Sequence, residues 1–268
     1  SFGTAGGMAE DLHITATVSS LLASLFFLGI FFFQIPGGLY AANKSAKKLI
    51  FWSLILWGAC ASATGMISDV NILVVMRFML GVVESAVMPA MLILLSRWFT
   101  KKERSRANTF LLLGNPITIL WMSIVSGYLI DAVGWRWMFI IEGLPAIIWA
   151  FFWWRLVDDK PADAQWLTQE DKQVLSAQLQ KEQQGIKPVK NYAEAFKSRV
   201  VILLCSQHAL WNIGVYGFSM WLPSIIKSSN IDIIATGWLS SLPYLFAVIF
   251  MLSASYFSDN TLNRKIFI

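Results

Sequence analysis

The chain alternates long apolar runs with short groups of charged residues. Seven runs approach or exceed the roughly 20 mostly apolar residues that are needed to cross about 30 Å of hydrocarbon. Each run is predicted to be a helix, because a lone segment in lipid can satisfy its backbone hydrogen bonds only internally. The predicted spans are residues 20–42, 49–68, 71–96, 107–130, 137–154, 200–226 and 233–258.

Basic residues cluster in alternate loops. Cytoplasmic loops carry an excess of Lys and Arg, so the basic loops are predicted to be cytoplasmic and residues 1–17 to lie outside. The opposite loops hold only Arg136 and Lys227. The basic set is Lys44, Lys47 and Lys48, then Lys101, Lys102, Arg104 and Arg106, then most basic residues of 155–199, and Arg264 and Lys265.

One long stretch, residues 158–199, has the polar character of a solvated segment. Thr168 and Asp171 have the spacing of a capping box, which predicts the start of a short amphipathic helix. Gly185 and Pro188 are predicted to end it. The stretch divides the chain into residues 1–157, a central cytoplasmic loop 158–199, and residues 200–268. A regulatory or partner-binding role for the loop is the alternative to a plain connector.

Composition supports a membrane protein. Of 268 residues, 56% are hydrophobic and only 14% are charged, and the mean hydropathy is +0.59. Soluble domains have about 25% charged residues, so a water-soluble globule is disfavoured. The net charge of +5 does not indicate a nucleic-acid partner, because the basic residues lie in short groups between apolar runs. We find no metal-ligand spacing, no phosphate loop and no nucleophile paired with a base, and these absences disfavour an enzyme.

Two loops repeat a pattern. Residues 37–48 follow the first apolar run and residues 255–265 follow the last, and their alignment pairs Asn43 with Asn260, Lys47 with Arg264 and Lys48 with Lys265. Six spans separate the copies, and parallel six-helix repeats with a site near the midplane are a transporter architecture.

The chain resembles the major facilitator superfamily, and within it the anion:cation symporters of sugar acids and related organic anions. The repeated loops resemble its G-x-x-x-D-x-x-G-[RK]-[RK] motif, although Ala42 stands where an acid is usual. More specific are the stretches that begin with Arg77-Phe-Met-Leu-Gly, Arg97-Trp-Phe-Thr, Gly134-Trp-Arg-Trp and Pro161-Ala-Asp-Ala. The resemblance implies an all-α fold of twelve helices in two six-helix halves. Residues 1–157 would belong to the first half and 200–268 would begin the second. We expect a fragment that runs from the end of family helix 1 through helix 8, in a bacterial inner membrane and monomeric when complete.

Arg77 and Glu84 are the strongest candidates for transport chemistry. A charge near the bilayer centre is costly, so it normally faces a cavity or a partner. Seven residues turn through about 700°, which puts both on one helix face, roughly 10 Å apart. Gly81 lies between them, with room for a ligand or another helix. The planar Arg fork suits a carboxylate, and the resemblance implies that Arg77 binds the anionic substrate while Glu84 carries the coupled proton. A structural role for the pair is the alternative.

Polar residues inside other spans are weaker candidates for substrate binding. Asn115 precedes Pro116, and its amide is predicted either to bind substrate or to satisfy carbonyl groups that the proline frees. Gln34 is predicted either to line the cavity or to pack between helices. Asn212 and Tyr216 are four residues apart and His208 is one turn earlier, which forms a polar stripe. The resemblance places Tyr216 in an aromatic cluster near the substrate, whereas a packing role is the default for His208.

The remaining membrane carboxylate and the loop charges are predicted to be structural. Glu142 lies near the outer end of its span and is expected to brace the outer helix ends. The loop motifs are expected to set topology and to form cytoplasmic gate contacts through Asp259, Arg264, Lys47, Lys48 and Arg104.

The sequence therefore predicts a secondary active transporter that couples proton entry to uptake of a small organic anion, with a hexonate or hexuronate as the favoured substrate. Protons are the only coupling species expected, with no other cofactor. Arg77, Asn115, Tyr216, Asn212 and Gln34 are the predicted substrate contacts. A seven-span receptor is one alternative, and a uniporter or exchanger on the same fold is the other.

Overall fold

The computed structural model describes residues 4–184 and 197–261, and these residues are almost entirely helical. A short irregular turn at Thr4–Met8 and a single turn at Ala9–Asp11 precede the long helices. The helices are α1 (Ala16–Asn43), α2 (Ala46–Thr64), α3 (Val70–Glu84), α4 (Val87–Trp98), α5 (Lys101–Leu156), α6 (Gln169–Gln184), α7 (Arg199–Ser228) and α8 (Ile233–Thr261). The all-α prediction is confirmed.

Five segments of the described chain are long and apolar enough to cross a membrane: Ala16–Asn43, Val70–Trp98, Arg106–Leu156, Arg199–Ser228 and Ile233–Ser253. The difference from the predicted seven has two physical sources. The predicted fourth and fifth spans are the two limbs of α5, and the helix is interrupted between them at Gly134, where φ is +83° and ψ is +167°. The predicted second span is α2, whose first turn carries Lys47 and Lys48 and is therefore less apolar.

The predicted third span is two helices rather than one. Helix α3 ends at Glu84 and α4 begins at Val87, with a turn at Ser85 and Ala86 between them. Pro89 explains the break, because it has no N–H group to donate to the Ser85 carbonyl four residues earlier. The break puts Glu84 at the last residue of α3.

Two helix pairs approach each other closely through glycine. A β-carbon on Gly81 of α3 would overlap the Phe26 carbonyl oxygen of α1, and one on Gly29 of α1 would lie 2.6 Å from the Phe78 carbonyl oxygen. On α8, a β-carbon on Gly237 would lie 2.7 Å from the Ser123 carbonyl oxygen of α5. These contacts fix α1 against α3 and α8 against α5.

The predicted cytoplasmic ends of α1, α2 and α4 meet at Asp159, which follows α5. The Asp159 carboxylate accepts hydrogen bonds from the backbone N–H groups of Ala46 (2.8 Å) and Lys47 (3.1 Å) and from the Ser45 hydroxyl. The Arg97 guanidinium lies 3.2 Å from the same carboxylate and donates to the Ala42 carbonyl at 2.7 Å. Asp159 thus provides a negative charge beside Ala42, the motif position that lacks an acid.

The predicted gate residues fall at this end of the bundle. Lys47 pairs with Asp158 at 3.0 Å, and Lys48 is exposed. Arg104 donates to the carbonyl groups of Ser96 and Phe99, and no ion pair of Arg104 is found within the described chain. Arg264 and the Asp259 side chain lie outside the described residues, so their predicted roles stay predictions.

The predicted helix start is confirmed: the Asp171 N–H donates to the Thr168 hydroxyl oxygen at 3.2 Å, the Thr168 hydroxyl donates to the Asp171 carboxylate at 2.6 Å, and α6 begins at Gln169. At the opposite side of the bundle, the N-terminal turn packs into an apolar cluster that includes Met8, Leu73 and Trp135. The Trp135 indole N–H donates to the Asp11 carboxylate at 3.0 Å. This anchors the N-terminal turn beside the outer ends of α1 and α3.

Candidate functional site: a charged cavity between α1, α3 and α7

A cavity of about 260 Å³ lies between α1, α3, α7 and the N-terminal turn. Ligand sites usually have volumes of about 300–1,000 Å³, so the cavity suits a small molecule. Helices α1 and α3 come from the predicted first half and α7 from the predicted second half. The cavity therefore lies where the two halves meet.

Arg77 and Glu84 both line this cavity. Arg77 is half-buried and Glu84 is exposed, so both side chains are reachable from the cavity. Within the described chain, no hydrogen bond or ion pair is found for either side chain. An ionic group within a membrane span normally faces a cavity or a partner, so an unpaired cation and an unpaired carboxyl group that line one cavity are available to a ligand and a proton.

Gly81 faces α1 rather than the space where a ligand would bind. Its close contact with Phe26 brings α1 across the face of α3 between Arg77 and Glu84. The sequence left both possibilities open, and the structure decides for the helix. As a result, the residues of α1 just before this crossing form one wall of the cavity.

Several lining residues were not predicted from the sequence. Ser19 and Phe26 contribute from α1, and Trp221 and Ser224 contribute from α7. Ser19 and Phe26 are seven residues apart and Trp221 and Ser224 three, so each pair shares a helix face. Their spacing in the sequence shows which residues share a face. It does not show which face lines the cavity, because the helices are apolar on almost every side.

The predicted polar stripe of α7 is adjacent to the cavity rather than in its wall. Tyr216 is half-buried, and its ring lies 5.0 Å from the Phe27 ring of α1. Asn212 is half-buried one turn away, and His208 is exposed and stacks on Trp211 at 5.9 Å.

Asn115 and Gln34 are not brought to the charged cavity. Both are exposed, on α5 and α1, and neither is among the residues that line it. Their roles in substrate binding remain predictions. Asn115 is one turn from Thr118 and Ile119, which line a second cavity.

The second cavity, of about 300 Å³, lies between α5, α7 and α8. Ser219 and Pro223 face it, whereas Met220 and Ser224 face the charged cavity, so α7 separates the two. Ser126 of this second cavity forms a hydrogen bond with the Glu142 carboxylate from the other limb of α5. The contact fits the predicted bracing role of Glu142.

A multi-span helical bundle around a small cavity with unpaired ionic side chains is typical of a membrane transporter. The comparison with protein families identifies which one: the chain belongs to the Major Facilitator Superfamily, whose model matches residues 1–268. This confirms the resemblance and a multi-pass membrane protein that is a transporter and not an enzyme. The seven-span receptor alternative is wrong.

Curated relatives support the same class. A protein of Agrobacterium vitis named for tartrate transport is 30% identical over 264 residues, which cover 96% of this chain and 59% of the relative. The "Quinolone resistance transporter" of Acinetobacter baumannii is 31% identical over 269 residues, which cover 96% and 61%. An Escherichia coli protein named for L-galactonate transport is 24% identical over 251 residues, which cover 93% and 55%. The chain thus spans about 60% of the length of the first two relatives.

Proposed function

We propose that the protein takes up a small organic anion together with a proton, by alternating exposure of the charged cavity to the two sides of the membrane. One observation carries the proposal: Arg77 and Glu84 line the same cavity, and neither side chain has a hydrogen-bond or ion-pair partner in the described chain. Relatives named for tartrate and L-galactonate support a small organic acid as substrate.

Arg77 has the role of anion binding in this proposal. Its planar guanidinium donates two parallel hydrogen bonds to a carboxylate, and in a partly dry cavity such charge-assisted bonds are strong. A sugar acid, the substrate class that the sequence favours, satisfies this requirement through its carboxylate. Tyr216, Asn212, Asn115 and Gln34 stay as proposed contacts for the hydroxyl groups of such a substrate.

Glu84 has the role of proton carrier. Its carboxyl group is reachable from the cavity and changes charge when it binds a proton. Protonation of Glu84 removes a negative charge near the bound anion, so substrate and proton favour each other's binding. When the loaded cavity then opens to the other side of the membrane, the substrate and the proton cross together.

Transport in vesicles tests the proposal. The native protein and its Glu84→Gln variant are reconstituted, and carboxylate uptake is measured with an inward proton gradient and, separately, as exchange without a gradient. We expect Glu84→Gln to abolish gradient-driven accumulation while it retains exchange. Glu10→Gln, an exposed acid outside the cavity, is the matched control. Gradient-driven accumulation in Glu84→Gln would contradict the coupling role.

Arg77→Lys tests anion binding separately, because lysine keeps the charge but loses the two-pronged geometry. We expect at least a tenfold rise in substrate KM, with Arg155→Lys, exposed at the end of α5, unchanged. A uniporter or exchanger on the same fold would instead show uptake that is independent of the proton gradient in the native protein.

A further inference from the structure

The walls of the charged cavity differ in polarity. Arg77 and Glu84 bring the ionic groups from α3, whereas α1 and α7 contribute mainly apolar and aromatic side chains. Among the described residues of the lining, the hydroxyl groups belong to Ser19 and Ser224. The apolar members are Met8, Leu22, Ala23, Phe26, Leu80, Met220 and Trp221.

An apolar wall selects against substrates with many hydroxyl groups. A hydroxyl group that leaves water without finding a hydrogen-bond partner loses free energy. A hexonate brings five hydroxyl groups, more than two serine side chains are able to satisfy. An apolar body instead gains free energy when it displaces water from these side chains.

Two aromatic side chains come to the cavity from the two halves. Phe26 belongs to α1 and Trp221 to α7, and both line the same space as Arg77. Aromatic rings attract each other in offset or edge-to-face arrangements, so a flat ring in this cavity gains favourable contacts with Phe26, with Trp221 or with both. A carboxylate on that ring is then within the cavity that holds the guanidinium.

We infer that the cavity is selective for a carboxylic acid with a flat, apolar body, above all an aromatic monocarboxylate, and that Trp221 and Phe26 determine this selectivity. This inference rests on the proposed function, because it assigns to Arg77 the same carboxylate contact. It narrows the substrate class away from the sugar acids and replaces the hydroxyl contacts that the proposed function assigns to Tyr216, Asn212, Asn115 and Gln34, while the roles of Arg77 and Glu84 are kept.

Binding competition in the native protein tests the selectivity. Displacement of labelled benzoate is measured in detergent with three probes: benzoate, cyclohexanecarboxylate and gluconate. We expect benzoate to bind at least about tenfold more tightly than gluconate, with cyclohexanecarboxylate between them, because stacking and burial act only on an apolar ring.

Variants with matched controls test the two aromatic residues. Trp221→Ala is expected to weaken benzoate binding about tenfold and to leave gluconate binding nearly unchanged. Trp221→Phe keeps a ring and is expected to retain most of the benzoate affinity. Trp211→Ala is the control, because Trp211 lies on the same helix, is exposed as Trp221 is, and is outside the lining. Phe26→Leu is compared in the same way with Phe31→Leu, whose parent residue is 73% exposed.

The outcomes separate this inference from the proposed function. Two results would overturn the selectivity and leave proton-coupled anion transport intact. One is that gluconate binds as tightly as benzoate. The other is that Trp221→Ala and Trp221→Phe each lose benzoate and gluconate binding to the same extent. Tight benzoate binding that is lost in Arg77→Lys, without proton-driven uptake, supports the selectivity and contradicts the coupling. Failure of all three acids to bind overturns the selectivity, whereas the proposed function is judged by the transport assay. Each variant is compared at equal monodisperse yield, so that misfolding is recognised.

Discussion

Gly81 of α3 lies so close to the Phe26 carbonyl oxygen of α1 that no β-carbon fits between them. This contact decides how α1 crosses the helix that carries Arg77 and Glu84. It therefore sets the width of the cavity wall formed by the outer part of α1. The close approach has a direct consequence for stability.

Gly81→Ala is expected to destabilise the protein by about 1–3 kcal/mol, because the overlap is with backbone and cannot be relieved by a side-chain rotation. The measurement is the thermal unfolding midpoint in detergent. Gly114→Ala is the control, since a β-carbon there meets open space and alanine has the higher helix propensity. An unchanged midpoint in Gly81→Ala would show that the two helices separate at little cost.

Asp159→Ala is expected to be the most destabilising change on the predicted cytoplasmic side. It removes the acceptor for two backbone N–H groups of α2 and leaves the partly buried Arg97 without its carboxylate partner. We expect a loss of about 2–4 kcal/mol. Thermal unfolding measures it, with Asp163→Ala, an exposed acid of the same segment, as the control.

A double-mutant cycle isolates the Asp159–Arg97 contact. Arg97→Met is combined with Asp159→Ala, and we expect the double variant to lose less stability than the two single variants together, by about 1 kcal/mol or more. Additive losses would mean that Asp159 acts only as the cap of α2.

Glu142→Gln is expected to leave proton-driven uptake intact, in contrast to Glu84→Gln. The amide oxygen of glutamine still accepts the hydrogen bond of the Ser126 hydroxyl, which joins the two limbs of α5. Glu142→Ala and Ser126→Ala should each lower the unfolding midpoint, by about 1 kcal/mol or more in free energy. If Glu142→Gln abolishes accumulation while unfolding is unchanged, Glu142 belongs to the coupling machinery and the bracing role is wrong.

Gly237→Ala tests the contact between α5 and α8, which joins the two predicted halves. A β-carbon at Gly237 would collide with the Ser123 carbonyl oxygen, so the helices must move apart. We expect a lower rate of transport together with a loss of about 1–3 kcal/mol of stability. Gly217→Ala on α7, where a β-carbon meets open space, should change neither quantity.

Local patterns in the sequence determined much of this protein. The apolar runs predicted the helices, and the spacing of Thr168 and Asp171 predicted the start of α6, because capping depends on neighbours a few residues away. The same local periodicity put Arg77 and Glu84 on one face of a helix. Pro89 was visible as well, yet the break beside it was not predicted, since a proline inside an apolar run is tolerated in many membrane helices. Gly134, by contrast, falls in the loop 131–136 that the sequence predicted between the fourth and fifth spans.

The sequence could not show which faces of different helices meet. Arg77 and Glu84 lack partners in the described chain, and Gly81 faces α1, because of how α1, α3 and α7 pack. The same packing brings Trp221 and Ser224 into the cavity wall, whereas the more polar Asn212 is not part of that wall. It also puts Asp159, more than a hundred residues away in sequence, beside Ala42. Helix periodicity is a property of a few neighbouring residues, whereas the walls of a cavity depend on contacts between distant segments, and only the tertiary structure defines those contacts.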